Sequence, residues 1–273
     1  MKLTVLTENT ANQRGMLAEH GLCVLVEANG RKILFDTGQT DVWLKNGQKL
    51  GVDPLAVDAV VLSHGHYDHC GGLEYAPLCE AFPPVYVGKG ALEEKCCREK
   101  DGSLQEIGIP WQRSFRDSVK VTEKEGKTEL FPGIFLAGGI PKLTEYEGVA
   151  DIFIRKKDSV YLKDDMQDEQ LLVIRENGKL HVVAGCCHVG IVSCLLYVRS
   201  LFPGEPFGVI FAGMHLRGAS RERITTTIEA IRKLDPECLV PVHCTGMPAI
   251  AQMKLAFGKK CRLAEAGKIL EMT

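Results

Sequence analysis

The sequence lacks the features that would assign it to several specialised classes of protein. Lysine and arginine number 33 and aspartate and glutamate 35, so the net charge of −2 gives no basic excess for binding nucleic acid. No apolar run approaches the length that crosses a bilayer, and the first residues lack the apolar core of a signal peptide. These absences predict a cytoplasmic globular protein that acts neither on nucleic acid nor at a membrane.

The eleven cysteines also lack a pattern, because none shows the paired CxxC spacing of a structural zinc site. Without a secretion signal the thiols should stay reduced, which fits the cytoplasm. We interpret most of these cysteines as small apolar residues that help to fill the core.

The segment with the strongest chemical signal is 62–69, Leu-Ser-His-Gly-His-Tyr-Asp-His. It places His64, His66, Asp68 and His69 within six positions, directly after an apolar run that predicts a buried strand. The two alternating histidines can point the same way, whereas the aspartate and the last histidine follow where the chain must bend. One loop therefore offers ligands to two adjacent metal ions, and the alternative is a polar surface turn.

Short apolar runs alternate with helical stretches along the chain, and no repeat interrupts them. Together they indicate an α/β protein in which sheet packs on sheet with helices outside. The predicted strands are 2–7, 22–28, 31–35, 58–62, 84–87, 133–137, 151–155, 169–175, 179–184, 207–212, 238–242 and 261–264. The predicted helices are 40–50, 71–76, 90–99, 189–201, 219–234 and 246–256.

The length and the absence of a linker predict a single domain over 1–273. Residues 89–130 break the pattern, because they are charged and punctuated by glycine and proline. We interpret them as a surface insertion of helix or loop that could form a lid beside the site.

Five predicted strands end in a residue suited to a metal site, and six of the eight histidines stand at these strand ends. Strand ends that meet at one edge of a sheet commonly form a site in layered folds. One of these residues, Asp36, could ligate a metal or could instead hydrogen-bond a histidine ligand. The strand-end residues are Asp36, His64, His188, His215 and His243.

Four further positions are open to two interpretations. His20 is either a site residue from a neighbouring loop or an ordinary exposed histidine. Arg217 could hold an anionic group bidentately, although a solvated surface arginine is the alternative. Helices open at 71–72 and at Thr245, where free N–H groups could attract an anion or could simply be capped.

These motifs resemble the metallo-β-lactamase superfamily, whose HxHxDH signature is complete here and whose Asp-Thr-Gly turn stands at 36–38. The resemblance covers nearly the whole chain. It implies a four-layer αβ/βα sandwich, in which two packed mixed sheets are flanked by helices. It also implies that His64, His66 and His188 hold one metal ion and that Asp68, His69 and His243 hold the other.

The sequence departs from the superfamily at one position. A bridging aspartate usually stands between the last two histidine motifs, whereas this chain has Gly213-Met214-His215-Leu216. His215 could ligate one ion, or it could hydrogen-bond substrate while water alone bridges the ions. Further sequence segments at 19–22, 185–191 and 241–246 resemble those of a subfamily named for a dihydropterin-methyl-ribofuranosylaminobenzene-phosphate synthase.

The resemblance implies two divalent ions, with zinc the first choice and Mn, Fe or Ni as alternatives. The implied activity is hydrolysis of a small anionic phosphorylated compound, phosphodiester or ester by a metal-bound hydroxide. Asp68, His215 and His20 would be catalytic, and Arg217 and Thr245 would bind substrate. The alternatives are a transferase that forms a pterin conjugate and a ligand-sensing relative. The expected partner is a small molecule, with a homo-oligomer left open.

Overall fold

The computed structural model describes residues 1–79 and 82–272. Seventeen strands lie in these ranges: β1 Lys2–Thr7, β2 Cys23–Ala28, β3 Arg31–Phe35, β4 Ala59–Val61, β5 Val85–Gly88, β6 Glu94–Arg98, β7 Leu104–Glu106, β8 Val121–Lys124, β9 Lys127–Phe131, β10 Ile134–Gly138, β11 Phe153–Lys157, β12 Val160–Lys163, β13 Gln170–Glu176, β14 Lys179–Ala184, β15 Phe207–Gly213, β16 Cys238–Val242 and β17 Ile269–Glu271.

The same described ranges hold six α-helices and three 3-10 helices. None of these helices is long and apolar enough to cross a bilayer. The α-helices are α1 Val42–Leu50, α2 Tyr67–Cys70, α3 Arg113–Arg116, α4 Ile191–Leu201, α5 Arg221–Leu234 and α6 Met247–Phe257. The 3-10 helices are Gly71–Tyr75, His243–Thr245 and Gly258–Lys260.

Two large mixed sheets form the centre of the fold. The first has the strand order β17-β1-β2-β3-β4-β5-β8, antiparallel as far as β3 and parallel beyond it. The second has the order β16-β15-β14-β13-β10-β9, parallel as far as β14 and antiparallel beyond it. A smaller antiparallel sheet has the order β12-β11-β6-β7.

Apolar side chains occupy both faces of the central strands, because successive residues of a strand point to opposite sides. In β13, Leu172 and Ile174 belong to the cluster between the two large sheets. Leu171 and Val173 belong to the cluster under α4, α5 and α6. Trp43 of α1 lies in a third cluster on the outer face of the first sheet. This four-layer arrangement confirms the predicted α/β sandwich.

Three predicted elements differ from the structure. The helix predicted at 90–99 is wrong, because the chain forms strand β6 there and pairs with β11 and β7. The strand predicted at 261–264 is reduced to one isolated bridge at Cys261. The helix predicted at 71–76 is a 3-10 helix over Gly71–Tyr75, and its Gly72 packs so tightly on the Thr37 carbonyl that an added Cβ would lie 2.0 Å from the oxygen.

The segment 89–130, predicted as a surface insertion of helix or loop, contributes strands to all three sheets. Strands β6 and β7 belong to the small sheet, whereas β8 and β9 are edge strands of the first and second large sheets. These strands are short and mix charged with apolar residues, so a search for apolar runs does not detect them. The segment is therefore not only helix and loop, whereas the surface insertion and the single domain stay predictions.

The strands that precede the candidate ligands run parallel within each large sheet. In the first sheet β3 pairs with β4, and in the second sheet β14 and β16 both pair with β15. Parallel neighbours end at the same edge, so the turns that follow these five strands are brought together. The fold therefore places residues from distant parts of the sequence around one point.

We expect Gly88→Ala to destabilise the protein, because its Cβ would lie 1.9 Å from the carbonyl oxygen of Asp168. Relieving that overlap should lower the free energy of unfolding by about 1–3 kcal/mol, as measured by urea denaturation. Gly138→Ala is the matched control at another strand end, where the added Cβ would meet Gln170 at an ordinary 3.4 Å. Equal stability of the two variants would contradict the tight packing at Gly88.

Candidate metal centre

Three histidines converge on one point from the two large sheets. His64 and His66 follow β4, and His188 follows β14. His64 Nε2 lies 3.0 Å from His66 Nδ1 and 3.3 Å from His188 Nε2, and all three side chains are buried. These distances put the three nitrogens close enough to share one ion.

A second group of donors lies directly beside the first. His69 Nε2 lies 3.2 Å from His243 Nε2, and Asp68 Oδ2 lies 3.3 Å from His243 Nε2 and 3.8 Å from His69 Nε2. The ring centroids of His64 and His69 are 4.4 Å apart, so the two groups are contiguous. The structure thus brings all six predicted ligands together in two sets of three.

Hydrogen bonds to Asp36 and Ser63 fix which nitrogens of His64 and His69 face the centre. Asp36 Oδ2 lies 2.7 Å from His69 Nδ1 and accepts from the Ser63 hydroxyl at 2.8 Å. Because an ionised carboxylate only accepts, His69 must donate through Nδ1. The hydroxyl already donates to Asp36, so at 2.9 Å it accepts from His64 Nδ1. Both rings therefore turn an Nε2 lone pair toward the centre, as a metal ligand requires.

The end of β1 fixes His243 in the same way, through residues that the sequence analysis missed. Asn9 Oδ1 accepts from the Gly21 N–H and lies 2.9 Å from His243 Nδ1, which must then donate. Glu8 Oε1 accepts from the His243 backbone N–H at 2.8 Å. No local pattern could have revealed these contacts, because they join residues about 234 positions apart.

The protonation states of the first group of histidines and of Asp68 suit a cation, whereas in His69 the Asp36 and Asp68 carboxylates outweigh burial and raise the pKa. Burial lowers the pKa of His66 to about 3, and burial and neighbouring imidazoles hold the pKa values of His64 and His188 well below their usual range. Burial opposes ionisation of Asp68, but His69 and His243 outweigh it and hold the pKa of its carboxyl below the usual value. Neutral imidazoles beside an ionised carboxylate are the forms in which these groups bind metals.

A short segment before β13 holds the turns that carry the first group of histidines. Asp168 Oδ2 accepts from the Gly65 N–H at 2.7 Å, and Gln170 Nε2 donates to the Leu62 carbonyl at 2.8 Å. Glu169 accepts from the backbone N–H of His188 at 2.7 Å and of Val189 at 3.1 Å. Burial raises the pKa of Glu169 to about 7, and these two N–H groups oppose the rise.

A cavity of about 320 Å³ opens above the two groups of donors. His20, His215 and Arg217 line it and are exposed. His20 Nε2 lies 3.3 Å from Asp68 Oδ2, and the His215 ring lies 4.4 Å from the His188 ring. Within the described residues His215 does not join any group of donors close enough to share an ion, whereas His20 does.

Thr245 does not reach this cavity. Its side chain is fully buried, and its hydroxyl accepts from the Met214 N–H at 3.1 Å and donates to the Ala212 carbonyl at 3.4 Å. The helix that follows begins at Met247, which does not line this cavity. The structure therefore places the Thr245 side chain behind the cavity, and its role in binding substrate stays a prediction.

Cys186 is a site residue that the sequence analysis interpreted as apolar packing. Its Sγ lies 3.2 Å from His69 Nε2, and the side chain lines the cavity. The sulfur is thus close enough to His64 and His69 to share an ion with them. Its position two residues before His188 could have indicated a role at the metal centre. A cysteine among apolar residues is usually a core residue, however, so the sequence favoured that interpretation.

Comparison with known proteins identifies the family. The family model described as the metallo-beta-lactamase superfamily matches residues 17–243. The chain belongs to the metallo-β-lactamase superfamily. The predicted family and fold are therefore confirmed, and the clustered histidine and aspartate donors are those of a metal-dependent enzyme with this hydrolase fold.

Three similar proteins cover nearly the whole chain. A solved structure of a metal-dependent hydrolase of the β-lactamase superfamily is 34% identical, with a TM-score of 0.88 over 100% of this chain and 99% of that one. The 7,8-dihydropterin-6-methyl-4-(β-D-ribofuranosyl)-aminobenzene-5'-phosphate synthase of Methanocaldococcus jannaschii is 30% identical, over 99% of this chain and 96% of the relative. An uncharacterized protein of the same organism is 30% identical, over 92% and 93%.

We expect Glu169→Gln to weaken metal binding without removing a ligand. Glutamine has one acceptor oxygen, so one of the two N–H groups that position His188 would lose its partner. Metal affinity, measured by competition with a chelator, should fall about 10- to 100-fold. Glu145→Gln, at an exposed position, should behave as the wild type. Unchanged affinity in Glu169→Gln would show that the segment does not position His188.

Proposed function

We propose that this enzyme is a dinuclear metal-dependent hydrolase of a small anionic substrate, such as a phosphorylated compound, a phosphodiester or an ester. The observation that carries the proposal is the convergence of two contiguous groups of three donors. His64, His66 and His188 would hold one ion, and Asp68, His69 and His243 would hold the other. Zinc suits this donor chemistry, with Mn, Fe or Ni as alternatives.

The two groups of donors fit cations because their nitrogen atoms face one another at short distances. His64 Nε2 lies 3.0 Å from His66 Nδ1 and 3.3 Å from His188 Nε2, and the hydrogen bond of His64 Nδ1 to Ser63 turns the Nε2 lone pair toward those two nitrogens. Converging lone pairs repel unless a cation lies between them. When bound, such a pair of ions would lower the pKa of water to about 7 and polarise the electrophilic oxygen of the substrate.

The residues around the donors supply the remaining functions. Asp68 projects a carboxylate into the cavity beside His20 and His243, where it can orient the attacking water as well as ligate. His215 lies against His188 at the opposite wall and outside the donor groups, which favours contact with substrate over ligation. We assign His215 to hydrogen-bonding the substrate and His20 to orienting Asp68.

Arg217 is the residue that favours an anionic substrate. It lines the cavity together with the donors, and its backbone N–H is fixed by the Cys244 carbonyl at 3.1 Å. The planar guanidinium can bind a phosphate or carboxylate with two parallel hydrogen bonds. A small anionic molecule would therefore be held between Arg217 and the two ions.

The first test is His66→Ala, which we expect to lose bound metal and activity together. Removing this nitrogen leaves the first group with two donors, so elemental analysis should show fewer ions per chain. Activity should be measured on chromogenic phosphomonoesters, phosphodiesters, lactones and thioesters. His181→Gln is the control, because His181 is a buried histidine that binds the Val209 N–H outside the centre. Unchanged metal content and rate in His66→Ala would refute the assignment.

The second test is Arg217→Ala, which we expect to raise KM for anionic substrates about 10-fold or more, because a hydrogen bond to a charged group is lost. KM for a neutral lactone should stay close to that of the wild type. Arg221→Ala removes an exposed arginine at the start of α5 and should leave both values unchanged. Equal effects on anionic and neutral substrates would remove the argument for an anionic substrate.

A second candidate function is a transferase that forms a pterin conjugate. It is supported by the 30% identity to the pterin synthase over nearly the full length of both chains. The two functions differ in their products. Pterin-dependent release of pyrophosphate from the purified enzyme would favour the transferase, whereas turnover of simple esters without a pterin would favour the hydrolase.

A further inference from the structure

The two groups of donors lack a carboxylate between them. The residues that follow β15 are Met214, His215 and Leu216, none of which is acidic. Within the described residues Asp68 supplies the only carboxylate in the groups of donors close enough to share an ion. Two adjacent cations repel each other, so an anionic donor between them would stabilise the pair. Some other group of the chain must take that position, or the ions must be bridged by solvent.

The Cys186 sulfur lies where such a donor would be needed. Its Sγ is 3.2 Å from His69 Nε2, and it lies within 4.8 Å of donor nitrogens of both His64 and His69. The same sulfur also lies within 4.8 Å of a donor nitrogen of His243. Because His64 belongs to the first group and the other two histidines belong to the second, Cys186 lies within 4.8 Å of donor nitrogens of both groups.

The turn that carries Cys186 is held in place from several sides. An added Cβ at Gly185 would lie 2.2 Å from Ser63 Oγ, and one at Gly213 would lie 2.2 Å from the Gly185 carbonyl oxygen. Cys187 adopts a left-handed backbone with φ of 53°, which reverses the chain toward His188. The buried sulfur is therefore positioned by backbone packing and does not depend on a mobile loop.

A neighbouring thiol, Cys244, is a competing candidate, but the backbone already engages it. Its Sγ accepts from the His215 N–H at 3.3 Å and donates to the Cys186 carbonyl at 3.6 Å. The Cys186 sulfur instead faces His69 Nε2, the nitrogen opposite the Nδ1 that donates to Asp36. A divalent ion that binds both atoms would displace their protons to solvent.

We propose that Cys186 is a thiolate ligand that bridges the two metal ions and takes the place of the missing carboxylate. The inference rests on the proposed dinuclear centre and adds a soft donor to it. A thiolate favours Zn²⁺ and other thiophilic ions over Mg²⁺ and Mn²⁺, so it also narrows the metal that this site selects.

The test is zinc X-ray absorption spectroscopy on the purified holoenzyme after its zinc content has been measured. We expect a shell of sulfur at about 2.3 Å, distinct from the nitrogen and oxygen shell. With two ions per chain, a bridging thiolate gives about one sulfur per zinc, whereas a terminal one gives about half that number. Cys186→Ser should lose the shell, and Cys244→Ser should keep it.

The cobalt-substituted enzyme provides an independent readout. A thiolate ligand gives a sulfur-to-cobalt charge-transfer band in the near ultraviolet, and Cys244→Ser should retain the band even if Cys186→Ser fails to hold metal. A holoenzyme with two zincs and no sulfur shell would overturn the inference and leave the proposed function intact. A sulfur shell lost in Cys244→Ser but kept in Cys186→Ser, or a half-occupied shell, would also overturn it. Protein that binds no metal would refute both.

Discussion

The candidate centre depends on two buried carboxylates, Asp168 and Glu169, that hold turns from both large sheets. Asp168 binds the Gly65 N–H in the turn after β4, and Glu169 binds the His188 N–H in the turn after β14. Burying a carboxylate is costly unless hydrogen bonds or an ion pair compensate. Asp168 is compensated by the Lys95 ammonium at 2.9 Å, and Glu169 by two backbone N–H groups. Adjacent residues of the segment before β13 thereby set the spacing between the histidines of the first group.

Hydrogen bonds also orient the histidines of the second group before any ion binds. Asp36 and Asn9 each accept a hydrogen bond from the Nδ1–H of a histidine, so that the opposite nitrogen faces the centre. A ligand whose ring orientation and tautomer are already fixed loses little conformational freedom when it binds. The cost of ordering the centre is therefore met during folding, by hydrogen bonds that do not involve the metal.

Six of the residues in the centre could be predicted from the sequence because each follows an apolar strand or lies in the compact 62–69 motif. Glu8 and Asn9 could not be predicted, since their role depends on a contact with His243 at the other end of the chain. Cys186 was misinterpreted because its apolar neighbours are also those of a core cysteine. The helix predicted at 90–99 failed for a related reason. Lys95 suggests an exposed helical face, yet it is buried against Asp164 and Asp168.

The exposed residues that line the cavity are constrained less by the fold than the buried donors are. The donors and the residues that orient them are buried and bonded to one another, so a change there disturbs both the fold and the metal. Glu99, Gln105 and Arg217 line the same cavity but are exposed. Substitution at exposed positions usually changes stability little, which leaves these residues free to vary with the substrate. Similarity of fold therefore supports an inference about the metal chemistry better than an inference about the substrate. The substrate is recognised by exposed residues, which folding constrains least.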